Sequence, residues 1–193
     1  GTTAPTSGRI SIGGKSPLTN GIKEANAGGN PGQHLMKLGY RAIIVCGQPA
    51  DAEKRYGLEV LPDGVKLVAA DDYKGLWNYA CCEKLLGNYP KSASAISIGP
   101  AGEMKLSGAS VACTDQNKER RPARHAARGG LGAVMGSKNL KAIGLRGETT
   151  VLVAEPEVLH TIGNDLSRRS LGPATEKYRT LGTVSNVAVF NRL

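Results

Sequence analysis

Apolar positions fall into three kinds of run along this chain. Ala42-Ile43-Ile44-Val45-Cys46, Ala95-Ile96-Ser97-Ile98 and Lys141 to Leu145 are short and nearly unbroken, which predicts strands covered on both faces. Arg9-Ile10-Ser11-Ile12 alternates, as does the stretch from Lys105 to Cys113, and both predict strands. Leu58–Leu61 and Val65–Val68 flank Pro62-Asp63-Gly64, a hairpin with suitable turn chemistry. Helical spacing places Leu76, Trp77, Ala80 and Leu85 on a helix from Tyr73 to Leu86, capped by Asp71-Asp72 and stopped at Gly87. Shorter helices are predicted over Gln33–Leu38, after Pro31, and around Gly132–Met135. Residues 114–124 read as a loop. Glu157–Leu166 is an amphipathic helix ahead of a break at Gly172-Pro173.

Two glycine-rich segments organise this pattern. Ala25-Asn26-Ala27-Gly28-Gly29-Asn30-Pro31-Gly32 and His125-Ala126-Ala127-Arg128-Gly129-Gly130-Leu131-Gly132 each read as turn, short helix, apolar strand. An Ala-Ile pair follows the Gly-Gly by thirteen residues in the first copy and twelve in the second. Ile10-Ser11-Ile12-Gly13 is echoed, more weakly, by Ile96-Ser97-Ile98-Gly99. The expectation is an α+β fold: an internally duplicated domain of mixed β-sheets, with short helices after two glycine turns that offer backbone N–H groups to a ligand with two anionic ends. The character changes after Gly147, so residues 1–149 are expected to form one domain and 150–193 a linker and the start of a helical one.

Composition narrows the function. The 193 residues are 40% hydrophobic, and no apolar run approaches the roughly 20 residues of a spanning helix. No signal peptide is seen, and the opening Gly1-Thr2-Thr3-Ala4-Pro5 reads as the start of an excised segment. The net charge of +9, with basic residues at Lys118-Glu119-Arg120-Arg121-Pro122-Ala123-Arg124-His125 and Arg168-Arg169, suits an anionic ligand or a solvated surface. Aromatic residues at 4% argue against single-stranded nucleic acid, which is bound on stacking platforms. Cys46, Cys81, Cys82 and Cys113 lack metal-ligand spacing and read as buried reduced thiols of a cytoplasmic protein.

Familiar nucleotide motifs fail. No G-x-G-x-x-G lies after a strand with an acidic residue downstream, and Gly132-Ala133-Val134-Met135-Gly136-Ser137-Lys138 lacks a P-loop ending. Asn26 stands two residues before Gly28, and Arg124 five before Gly129. An arginine fork suits phosphate or a ring carbonyl. Other candidates read as structural. His34 and His160 sit on helix surfaces, Glu103 is expected as a buried partner for an arginine, and Trp77 and Tyr79 pack their helix. Arg128 faces either phosphate or a carboxylate.

Several of these segments together resemble a known family. Ala4-Pro5-Thr6-Ser7-Gly8-Arg9, Lys15-Ser16-Pro17-Leu18-Thr19, Ala25-Asn26-Ala27-Gly28-Gly29 and Ile98-Gly99-Pro100-Ala101-Gly102-Glu103 recur in order, followed by the long block from Ala127 to Ile143. Over residues 1 to 147 the chain resembles the N-terminal domain of the aldehyde ferredoxin oxidoreductase family, the tungsten or molybdenum bis-pterin enzymes. The resemblance implies that this domain is the base for two pterin units whose phosphates are bridged by magnesium. Carried across, Arg9, Asn26, Gly28, Arg124, His125 and Ala127 would bind the cofactor. Asn26 and His125 would lend main-chain oxygens to the magnesium, a hard cation. His125 and Ala127 depart from the small residue and glycine usual in the family at those positions.

The family's cluster cysteines, a C-x-x-C-x-x-x-C run and one distant Cys, are absent here, as are its substrate-side acid and histidine. The resemblance therefore implies an inactive cofactor-binding fragment. Its parent would use a [4Fe-4S] cluster, oxidise a small aldehyde to the acid, and pass electrons to ferredoxin or another carrier. The remaining domains of the parent would be its partners, and a homodimer is compatible. Two alternatives stay open: a basic, non-catalytic anion or nucleic-acid binding module, and a relative acting on another substrate such as an aromatic acyl thioester.

Overall fold

A computed structural model describes residues 2–90, 92–116 and 119–192. The chain divides into two units. Residues 8–151 form the first, and Thr2–Ser7 with residues 152–192 belong to the second. Lys118 of the basic cluster lies outside the described residues.

The first unit holds two sheets. β1 (Ile10–Lys15) and β2 (Ile22–Ala27) pair antiparallel, with Ile10 opposite Ala27 and Ser11 opposite Asn26. Their alternation turns Ile10, Ile12, Ala25 and Ala27 inward and leaves Arg9, Ser11, Glu24 and Asn26 exposed. The second sheet is six-stranded. It comprises β3 (Tyr56–Leu61), β4 (Gly64–Ala69), β5 (Ser94–Ser97), β6 (Val111–Cys113), β7 (Arg124–Ala126) and β8 (Leu140–Leu145), in the order β4-β3-β8-β5-β6-β7. Only β3 and β8 run parallel; the other neighbours are antiparallel. The central strands β5 and β8 are buried at every position, which is why they read as continuous apolar runs.

Helices cover both faces of that sheet. On one side α1 (Pro31–Lys37) and α4 (Leu131–Ser137) contribute Leu35 and Leu131 to a core with Ile96, Val111, Ile143 and Leu145. On the other, α2 (Asn78–Gly87) packs Cys81, Cys82, Leu85 and Leu86 against Ala95 and Ala142. Burial pushes the Cys81 and Cys113 thiols up to about 12, so they act as small apolar groups. The short helix α3 (Pro100–Glu103) lies against α4 through glycines: a Cβ on Gly136 would stand 1.9 Å from the Gly102 carbonyl oxygen. The mixed sheets and short helices make this an α+β fold.

A bulge in β8 sets a buried charge. Tyr56 pairs with Leu140 and Gly57 with Ala142, so Lys141 is the extra residue. Its ammonium is fully buried and donates to the Leu76 carbonyl at 2.7 Å and to the Glu103 carboxylate. Glu103 also accepts the Gly75 N–H, and Arg55 stands 3.9 Å away. The glutamate thus answers chiefly a lysine, with the expected arginine at longer range.

Several local expectations are corrected. Ala42–Cys46 is no strand: it pairs with none of the described residues, and Ile44 is 83% exposed. Cys46 is likewise exposed rather than buried. The helix expected from Tyr73 starts only at Asn78, because Gly75 adopts φ +75° and its N–H is taken by Glu103. Residues 71–73 form one separate 3₁₀ turn. Lys105 to Ser110 does not alternate as a strand, since Lys105 turns at φ +58° and the Ala109 N–H closes onto Leu106. Trp77 and Tyr79 are exposed, not packed.

In the second unit α5 (Pro156–Arg169) is followed by α6 (Pro173–Leu181), a 3₁₀ turn over Gly182–Asn186, and α7 (Val187–Phe190). Asp165 pairs with Arg168 and Arg169 one turn on, leaving these cations partly neutralised. Among the described residues no helix is long and apolar enough to cross a membrane.

Candidate functional site

The first glycine turn is shaped by what leaves no room for a side chain. Gly29 is buried at φ +96°, and a Cβ there would lie 2.2 Å from the Thr114 carbonyl oxygen. That same oxygen accepts the Asn30 N–H at 3.1 Å, and Pro31 then opens α1. Arg9 directly precedes Ile10, which stands opposite Ala27, the residue before Gly28. From the other sheet, the Cδ and Cγ of Arg124 lie 3.7 and 3.9 Å from where a Gly28 Cβ would be. Exposed Arg124 therefore flanks this glycine, while exposed Arg9 stands at the entry of the hairpin.

The second turn is built more tightly. Gly129 and Gly130 adopt φ +82° and +68°. A Cβ on Gly129 would strike the stem of Lys23 at 2.2 Å, and one on Gly130 would strike the Ser107 carbonyl at 2.0 Å. The two turns thus share β2: Gly28 follows its end, and Gly129 rests on Lys23 near its start, a strand length of about 16 Å apart. One sequence expectation changes here. The helix starts do not present all their amides: Gly132 N–H donates to Ala109 at 2.9 Å, and Asn30 N–H to Thr114. Both helices are also only seven residues long. The capacity to hold an anion therefore falls mainly on side chains.

The remaining residues predicted from sequence lie around this seam. Asn26 is exposed on β2, and Ser11 beside it donates to Glu24 at 2.7 Å. His125 is exposed on β7, with Nδ1 3.0 Å from Ser110 Oγ, and Ala127 follows it in the open. Arg128 is exposed and makes no ion pair with any described residue. Arg124 Nη2 is paired with Asp115 Oδ2 at 3.1 Å. The Gln116 N–H, and after it Arg124, hold the Asp115 carboxyl below the usual carboxylate range. The structure thus brings Gly28 and Arg124 together, with Arg9 just before the Ile10–Ala27 pair, Asn26 two residues back along β2, and His125 and Ala127 following Arg124.

A separate hollow of about 470 Å³ is lined by Ile10, Ile12, Leu35, Ile43, Leu131 and Val134 among others. Of the polar candidates only Arg9 lines it; Asn26, Gly28, Arg124, His125 and Ala127 do not.

Two residues at the seam carried no sequence signal: Asp115, in a stretch read as plain loop, and Lys23, which gives Gly129 its floor. Another reading is reversed. His34 is buried, its Nδ1 2.8 Å from Ser94 Oγ and 3.3 Å from the Leu145 carbonyl, so it fastens α1 to the sheet rather than facing water.

Comparison with known proteins identifies the family of the chain. Residues 1–147 match the family described as aldehyde ferredoxin oxidoreductase, N-terminal domain. The tungsten-containing aldehyde ferredoxin oxidoreductase of Pyrococcus furiosus is 39% identical over 163 residues, covering 81% of this chain and 24% of that protein. An aliphatic sulfonate oxidoreductase, WOR-like subunit, of the same organism is 32% identical over 152 residues, 72% of this chain and 23% of its own length. Among solved structures, the active site complex BamBC of benzoyl coenzyme A reductase superposes with a TM-score of 0.77 at 30% identity, over 86% of this chain and 24% of that one. The chain spans about a quarter of the length of the relatives it matches. With a match over residues 1–147, the chain belongs to the aldehyde ferredoxin oxidoreductase family, as its N-terminal domain.

Proposed function

We propose that residues 1–149 bind a tungsten or molybdenum bis-pterin cofactor within a larger oxidoreductase, residues 150–193 leading into its next domain. The observation that carries this reading is the stem of exposed Arg124, from the larger sheet, lying against Gly28 at the end of β2, with exposed Arg9 just before the Ile10–Ala27 pair of the smaller sheet. A ligand with two anionic ends is suited by cations from both sides of a turn that keeps side chains out of the way. The donor set fits such a group: exposed guanidinium groups for phosphates or ring carbonyls, and oxygen donors rather than thiolates for magnesium.

In this reading Arg9 and Arg124 anchor the cofactor's anionic groups, and Gly28 admits them to the backbone. Main-chain oxygens of Asn26 and His125 would hold a magnesium ion that offsets the charge of the phosphates, and Ala127 would border the same cofactor. When bound, the metal–dithiolene unit supplies the redox chemistry. This chain's residues bind and orient it. A [4Fe-4S] cluster, the residues that choose the substrate, and the path to ferredoxin belong to the remainder of the parent, a cytoplasmic enzyme compatible with a homodimer that oxidises aldehydes to carboxylic acids. The likeness to the benzoyl coenzyme A reductase complex favours one second reading, an aromatic acyl thioester as the parent's substrate.

The test uses the full-length protein from a tungstate- or molybdate-fed host. Metal analysis and fluorescence of the released pterin should give a stoichiometric cofactor in the wild type and a large loss in Arg124→Ala. Cofactor retained in full by Arg124→Ala and Arg9→Ala alike would remove the basis of this assignment.

A further inference from the structure

We propose that Asp115 is a positioning residue that aims Arg124 across the first glycine turn. The inference rests on the reading that Arg124 meets the cofactor. It adds the residue that sets where that arginine points.

Asp115 follows the end of β6 by two residues, directly after Thr114, and this pair touches both halves. Thr114 is fully buried. Its N–H donates to the Ala95 carbonyl at 3.0 Å, and its Oγ1 accepts the Ala95 N–H at 2.9 Å, so it is fixed to the central strand β5. Its carbonyl oxygen is the atom against which Gly29 packs and to which Asn30 donates. The first turn is therefore seated on Thr114. Asp115 is held just as firmly. Its N–H donates to the Arg121 carbonyl at 2.8 Å, and its carbonyl accepts from Asn30 Nδ2 at 3.4 Å.

The carboxylate divides its two oxygens between anchoring and aiming. Oδ1 accepts the Gln116 N–H at 2.7 Å, which fixes the side chain's rotation. Oδ2 is left to meet Arg124 Nη2 at 3.1 Å. The Asp115 side chain is 18% exposed and that of Arg124 is 55% exposed. One end of the pair is thus rigid and sheltered while the other reaches solvent. Arg124 is also confined along its stem, because Cγ and Cδ pack over Gly28. With Nη2 engaged, Nε and Nη1 remain to donate to a ligand at the turn. An exposed ion pair adds little stability, so holding direction is the role left to it.

A rival role predicts the opposite sign. If Asp115 merely neutralised Arg124, its removal would strengthen anion binding, because a competing negative charge leaves. If it aims the arginine, removal weakens binding despite the more positive charge, since the ligand must then immobilise a free side chain.

The first measurement is ¹⁵N relaxation of arginine Nε–Hε groups in the 193-residue chain, the Arg124 signal being identified by its loss in Arg124→Lys. We expect a rigid Arg124 in the wild type, with an order parameter of roughly 0.8, falling below about 0.6 in Asp115→Ala. Asp115→Asn, whose single oxygen cannot accept from both the Gln116 N–H and Arg124, should lose the rigidity too, and amide shifts of Gly28–Asn30 should stay in place throughout. An Arg124 already mobile in the wild type, or unchanged in Asp115→Ala, overturns the proposal. The second measurement is pterin retained by the full-length protein under dilution. Asp115→Ala should release it about three- to tenfold more readily, and tighter retention overturns the proposal. The cofactor reading itself is judged separately: full retention in Arg124→Ala and Arg9→Ala alike would sink it whatever Arg124's mobility in the Asp115 variants.

Discussion

After Gly129-Gly130 the chain passes through α4 into β8, a strand buried at all six positions between β3 and β5. After Gly28-Gly29 it passes through α1 into Ala42–Cys46, which pairs with no described strand and leaves Ile44 in solvent. The opening segments diverge in the same way. Ile10–Gly13 lies in a two-stranded hairpin, whereas Ile96 and Ser97 lie in the middle of the six-stranded sheet. Turn and helix depend on residues close in sequence, and so both copies make them. A strand is completed by its neighbours, and similar sequences given different neighbours end in different states.

The contrast is sharpest at the glycines that close the two turn–helix units. Gly136 ends its helix against α3, where a Cβ would come within 1.9 Å of the Gly102 carbonyl oxygen and 2.8 Å of its carbon. Both are backbone atoms, so the helices must separate. Gly39 follows α1 at φ +81° with no heavy atom within 4 Å of a Cβ. Gly136→Ala should therefore cost about 3 kcal/mol through overpacking. Gly39→Ala should cost about 1 kcal/mol, from the left-handed backbone alone. Urea unfolding of the 193-residue chain measures both. Equal losses would mean that α3 and α4 yield readily, and that the second turn is no more rigid than the first.

The two apolar runs give the next test. Ile143 is 8% exposed within the core and Ile44 is 83% exposed. Ile143→Ala should cost about 3 kcal/mol, and Ile44→Ala should stay within about 0.5 kcal/mol. A large loss at Ile44 would show that residues 42–46 are covered in solution, and the asymmetry between the copies would shrink.

The same asymmetry explains what could be read from the sequence. The hairpin around Pro62-Asp63, the helix after each glycine turn and the buried strands β5 and β8 are announced by local residue types. The approach of Arg124 to Gly28 was legible only as separate residues, since it depends on β7 meeting β2 across a hundred positions. Asp115 was not legible at all. A Thr-Asp pair after an apolar run resembles any loop until Ala95, Asn30 and Arg124 are seen around it. The partner of Lys141 was illegible for a related reason: nothing in its apolar run announces the β8 bulge that turns it onto Glu103.

The smallest expected effect separates the two helices by their fastenings. α4 is tied down by glycine contacts and the Gly132 amide, none of which titrates near neutrality. α1 is tied down in part by His34. Burial lowers the His34 pKa below its ordinary 6.5; the Leu145 carbonyl partly opposes the shift, and Lys37 adds slightly to it. The folded chain therefore binds this proton less readily than the unfolded chain. Above about pH 6.5 the ring is neutral in both states and its contribution is intact. As pH falls through 6.5 the unfolded state takes up the proton first, and stability declines until the lower, folded pKa is reached. Amide exchange should register this as faster opening of Leu35–Leu38 between pH 7 and 5.5, after correction for intrinsic rates, with α4 unaffected over the same range. His34→Gln should flatten the response. If α4 loosened in parallel, the two helices would be opening as one unit, and the difference between their anchors would have no consequence for their dynamics.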